Sequence, residues 1–164
     1  MSQIYSACFI GQTVTTATLY EVFSLKLATG CTARLLALYL SQNAVAQDAN
    51  DAQIAYSIKT GYATQVTTGG TSVTPNAGSR EGTGSNVTAY YMTTATSTGG
   101  TAVIRHQDAF NDRSGLVFIP TPEMQEALQW GQAGAADVLQ VEFPTSNAKT
   151  YTSGFNGTIY WAED

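Results

Sequence analysis

Residues 51–62 read DAQIAYSIKTGY, and their alternation decides the fold class. Ala52, Ile54, Tyr56 and Ile58 fall on one side, with Gln53, Ser57 and Lys59 on the other. In a pleated strand successive side chains point to opposite faces, so one face of this segment is built for a core and the other for a polar boundary. The same short apolar runs recur along the chain, bounded by Gly, Thr, Asn and Ser clusters, while helical spacing is scarce.

IYSACFI (4–10) opens the series. LYEVFSLKL (19–27) sets Leu19, Phe23, Leu25 and Leu27 on one face, interrupted by Glu21. ARLLALYL (33–40) is apolar on both faces, as a central strand is. NVTAYYMTTAT (86–96) places Val87, Ala89, Tyr91 and Thr93 opposite Thr88, Tyr90 and Met92. TAVIRHQDAF, GLVFI, the stretch around ADVLQVEF and the closing GFNGTIYWAE complete about eight strands, with no βαβ alternation and no internal repeat. The expectation is one antiparallel β-sandwich domain over residues 1–164, jelly-roll-like.

Between the strands, SQNAVAQDAND (41–51) reads as a loop. Residues 63–86 form a long Gly/Thr/Ser-rich connection, of a length that compact domains reserve for functional or mobile segments. TPEMQEALQWG holds the one plausible helix start, with Thr121 as cap, Pro122 and Glu123 in the first turn and Gly131 as the stop; a loop leading into a short strand is the alternative.

Composition narrows the function. Threonine is the most frequent residue, and only 12% of the 164 residues are charged, against roughly 25% in an ordinary soluble domain. A β-branched hydroxyl covers the outer faces of strands without ions, and a surface poor in ions loses little by desolvation when it meets a partner. Seven basic residues are scattered under a net charge of −5, so no stripe tracks a phosphate backbone and nucleic acid is not an expected partner. No apolar run approaches a membrane span, and MSQIYSACFIGQ has no basic start of a leader, so the chain is expected to be made and folded in a cytoplasm. Cys8 and Cys31 are expected as reduced, buried thiols, and the sequons at Asn86 and Asn156 as chance.

Reactive constellations are thin. His106 is the only histidine, and there is no nucleophile elbow, P-loop or complete dinucleotide fingerprint, so no cofactor is expected. His106-x-Asp108 with Asp112 is the best metal candidate but lacks a second imidazole or thiolate; hydrogen bonding is the preferred role. Asp48, Asn50 and Asp51 lack the glycine and distal glutamate of a calcium loop. Glu21 and Glu142 are the carboxylates a glycoside hydrolase would need, and outward, non-catalytic positions are expected for both. The aromatic residues Tyr90, Tyr91, Trp130 and Tyr151 are the candidate interface or ligand contacts, because such rings stack on sugars and anchor protein interfaces. Tyr160 and Trp161 alternate, so one of them faces inward.

DAFNDRSGLVFIPTPE (108–123), together with Gly11-Gln12, the 51–62 strand and the terminal GTIYWAED, resembles small proteins encoded near capsid genes in tailed phages, which are virion structural or decoration proteins. The pattern is carried by Phe110-Asn111, Gly115, Pro120-Thr121-Pro122-Glu123 and Glu163. The resemblance implies a non-catalytic cement protein on the capsid surface, with the major capsid protein and copies of itself, as a homotrimer, for partners. A carbohydrate- or receptor-binding module of a fibre or adhesin is the alternative, and a hydrolase ranks last.

Overall fold

The computed structural model describes residues 2–15, 20–42, 53–79, 82–131, 137–144 and 150–164, the side chains of residues 15 and 150–153 excepted. The 43–51 part of the expected loop, with Asp48, Asn50 and Asp51, lies outside the described residues, as do Ala52 of the 51–62 strand, Leu19 and the Arg80-Glu81 pair.

Eight strands of six residues or more carry the structure: β1 (Gln3–Thr15), β2 (Tyr20–Leu27), β3 (Ala33–Gln42), β4 (Gln53–Thr64), β7 (Val87–Thr93), β8 (Thr98–Asn111), β11 (Val138–Phe143) and β12 (Thr150–Glu163). Short strands β5 (Thr71–Val73), β6 (Asn76–Ala77), β9 (Leu116–Phe118) and β10 (Gln129–Trp130) and one helix, α1 (Pro122–Ala127), fill the connections. They form two antiparallel sheets packed as a sandwich. The first runs β10-β3-β12-β1-β6, with β9 also on β3; the second runs β5-β7-β2-β11-β4-β8. The pairs are nested: β1 with β12, β2 with β11, β3 with β9 and β4 with β8, successive pairs falling in alternate sheets.

The alternation of β4 does what its sequence predicts. Ile54, Tyr56 and Ile58 are buried between the sheets beside Phe23, Leu25, Leu38, Val141, Phe143, Phe155 and Trp161. Phe143 meets Phe155 edge-on at 5.6 Å between ring centres, and Phe9 packs on Phe23 at 5.1 Å. The 63–86 segment is more ordered in form than its composition implies. β5 extends the second sheet by pairing with β7, and β6 extends the first by pairing with β1, so this connection crosses from one sheet to the other along a single edge. Glu163, at the end of β12, fastens its return: the carboxylate accepts from Trp161 Nε1 at 2.9 Å, from the Asn86 backbone N–H at 2.9 Å and from the Ser85 hydroxyl.

α1 starts as its sequence predicts, with Thr121 capping the Met124 N–H and Pro122 in the first turn. Gly131 does not end it. The helix stops at Leu128 and the chain continues into β10 against Ala33 and Arg34; Gly131, at φ 76°, turns away after that strand.

Candidate interaction face

Among the described residues the outer side of the first sheet is almost free of charge. Cys8, Thr158, Tyr39 and Val117 stand in register across β1, β12, β3 and β9, and Ser6, Tyr160 and Ala37 form the next row. Every one of these positions alternates with a residue that faces the core, such as Ala7, Ile159 and Leu38. Val117 is 68% exposed, Ile10, farther along β1, 76%, and Tyr160 38%, its ring meeting Tyr39 edge-on at 6.0 Å. Among the described outward residues of these four strands the one charge is Arg34, at the margin, and it pairs with Asp164 at 3.4 Å. Contiguous apolar and hydroxyl-bearing surface of this kind marks an interaction site more than it marks a solvated face.

The second sheet has the opposite character: its polar side is folded in on itself. A bulge at Val22 sets Glu21 opposite Glu142, and both are buried, at 0% and 2% exposure, which corrects the outward positions expected for them. Glu21 accepts from the Thr93 hydroxyl at 2.9 Å, from the Ser97 backbone N–H and from Gln140 Nε2; burial raises its pKa, with hydrogen bonds from Ser97, Thr93 and Ser24 opposing the shift. Glu142 accepts from the Ser57 hydroxyl at 2.9 Å and pairs with the Lys59 ammonium. Glu21 is held by protein donors through both oxygens, Glu142 through Oε1 while its buried Oε2 has no hydrogen-bond partner among the described residues, and burial closes both to a polysaccharide.

His106 is likewise engaged. Its Nε2 shares a hydrogen bond with the Tyr56 hydroxyl at 3.0 Å and its ring stacks on Phe118 at 4.4 Å. Burial lowers its pKa, with Asp108 pulling the other way, and burial with Asp108 pushes Tyr56 up to about 12. Asp108 accepts from the Ala109 N–H at 2.8 Å, and Asp112 is buried. Among the described residues no group of three His, Cys, Asp or Glu side chains converges as a metal set does. A cleft of about 540 Å³ beside β1 and β6 is lined, among the described residues, by Ser2, Gln3, Ile4, Ala77, Gly78, Ser79 and Gly82, none of them titratable.

The four aromatic candidates do not come together. Tyr90 and Tyr91 are neighbours on β7 and point to opposite sides: Tyr90 pairs in register with Ser24 on the polar side, while Tyr91 turns inward and stacks on Phe9 at 5.0 Å. Trp130 is no surface contact; its pairing in β10 sets it in the core at 1% exposure. Tyr151 lies on β12 with its side chain outside the described residues. Tyr160 and Trp161 divide as alternation requires, with Trp161 buried. Cys8, expected inside, is exposed on the uncharged face, and Cys31 is partly exposed; both are free thiols. The signal for this face lay in the sequence as the outward half of three strands, Ser6-Cys8, Ala37-Tyr39 and Thr158-Tyr160, each lacking a charge where a solvated strand usually carries one. Comparison with known protein families, with characterised proteins and with solved structures finds no match to this chain.

Proposed function

We propose that this protein is a non-catalytic virion structural component, a capsid decoration or cement protein that associates with copies of itself and lays the uncharged outer side of its first sheet on the major capsid protein at the virion surface. The observation that carries the reading is the row Cys8, Thr158, Tyr39 and Val117, in register across four strands and without charge. The nested strand pairing supports a jelly roll, an architecture used by viral capsid and lectin domains, although fold alone does not assign function. Burial of Glu21 and Glu142 among committed donors supports the absence of hydrolysis. A lattice offers the same contact many times, so a modest affinity per copy is enough, and preferential binding to the assembled shell stabilises it by linkage.

Cosedimentation with undecorated shells of the encoding phage tests this. Val117→Lys should abolish pelleting while leaving the melting temperature unchanged, and shell-bound protein should be protected from thiol alkylation at Cys8. Pelleting that survives Val117→Lys with Cys8 still reactive would remove the proposal. The exposed Tyr39–Tyr160 ring pair favours carbohydrate as the second reading, since such rings stack on sugars. A glycan panel decides it: binding lost on Tyr160→Ala supports a receptor-binding module.

A further inference from the structure

Among the described residues β8 is the longest strand at a sheet edge. It spans 14 residues, pairs with β4 on one side, and among the described residues no strand pairs with its other side. Along it only His106, Phe110 and Asn111 are shielded from solvent; Val103 is 40% exposed and Ile104 56%. Edge strands are usually kept short or guarded by lysines and prolines because their unpaired N–H and C=O groups template pairing with another chain. β8 has no lysine and no proline, a single arginine and a single aspartate. Phe118, stacked on His106, brings the end of β9 beside it, and the next residue, Ile119, is 62% exposed.

We infer that the free edge of β8 pairs with the same edge of a second copy of this chain, antiparallel and centred on Gln107. Hydrogen-bonding complementarity between the His106 imidazole and the Asp108 carboxylate chooses both occupant and register. A twofold axis through a continuous antiparallel sheet sets one residue opposite itself and pairs its flanking residues crosswise. Centred on Gln107, it sets His106 opposite the second copy's Asp108, and Asp108 opposite that copy's His106. The two residues share a face, because they stand in register with Ile58 and Tyr56 of β4. Centred one residue later, it would set two Asp108 carboxylates against each other, which is unfavourable. From His106 to Asn111 β8 pairs with β4 without interruption, so the residues about Gln107 are regular strand, and regular pairing with the second copy ends where the register shifts begin, next to Arg105. Pairing merges two six-stranded sheets into one of twelve.

An edge pair of this kind closes at two copies, so it does not build the threefold assembly that the phage resemblance implies. It gives the proposed self-association a surface, and its test uses purified protein without shells, so failure of shell binding and failure of this pairing are told apart.

Light scattering should return twice the 17.4 kDa chain mass, and Asp108→Arg should return the single-chain mass. In a Cys8→Ser, Cys31→Ser background, Gln107→Cys should form a covalent dimer under mild oxidation, since directly opposed residues lie roughly 5 Å apart at Cβ. Ala102→Cys in the same background should stay uncrosslinked, the two positions then lying roughly 34 Å apart. A monomer, a trimer, or crosslinking at 102 equal to that at 107 would each overturn the inference. Circular dichroism of each variant establishes that the fold is retained before the masses are compared.

Discussion

Glu21 has its carboxylate out of water because Val22 takes an extra place in β2. Without that bulge, alternation would point Glu21 into the aromatic core beside Phe23; with it, the side chain joins Gln140, Thr93 and Ser97. Desolvation favours the neutral acid and holds the folded-state pKa above its ordinary 4.5. The sign follows from linkage. A carboxyl that binds its proton more tightly when folded adds stability that is complete below pH 4.5 and is lost as pH rises through the folded value. Glu21→Gln should therefore be more stable than wild type at about pH 8, and the gap should close on acidification. The site can accept an amide: Thr93 already has Ala95 O as an alternative acceptor, and Gln140 Oε1 has no partner. Glu21→Ala, which strands the Ser97 N–H and the Gln140 amide, should cost about 1–3 kcal/mol at every pH. Urea titrations across the pH range read both, and a Gln variant less stable than wild type at high pH would contradict the account.

At the scale of elements, β4 and β8 meet at two glycines. Gly61 has φ 96° and Gly100 φ 70°, and a Cβ on Gly61 would strike the Thr101 carbonyl. The close approach lets β8 continue past the register shift, and Gly61→Ala should lose about 1–3 kcal/mol of stability by denaturant unfolding, with unchanged β content. A neutral effect would mean that β8 is free to part from β4 there. This crossing also marks the limit of what the sequence reveals. Periodicity places Ile54, Tyr56 and Ile58 inside and Thr121 at a helix cap, because those outcomes depend on local alternation and on a single side-chain hydrogen bond. It misplaces Glu21, since a bulge is a property of two strands together. It misses β5 and β6, whose Thr, Ser and Asn residues pair through backbone at the sheet edges, while it sets Tyr90 and Tyr91 on opposite faces of β7, as the structure does. Trp130 reads as a contact residue until β10 is seen to tuck it under β3.

For the whole molecule the scarcity of charge is greater outside than the composition states, because Glu21, Glu142 and Glu163 are buried. Among the described residues the first sheet's outer side carries no charge except at the Arg34–Asp164 margin. Association through that side draws on area removed from water and on shape, neither of which salt screens. Raising salt from about 0.1 to 1 M shortens the Debye length from about 10 to about 3 Å, which erases contacts made by exposed charges and leaves apolar ones. Binding to shells, followed by cosedimentation over that range, should weaken by less than about threefold, and sulfate, which is excluded from protein surfaces, should strengthen it. A loss of tenfold or more would assign the contact to the acidic remainder of the surface, and the uncharged sheet would then face neighbouring copies instead of the capsid.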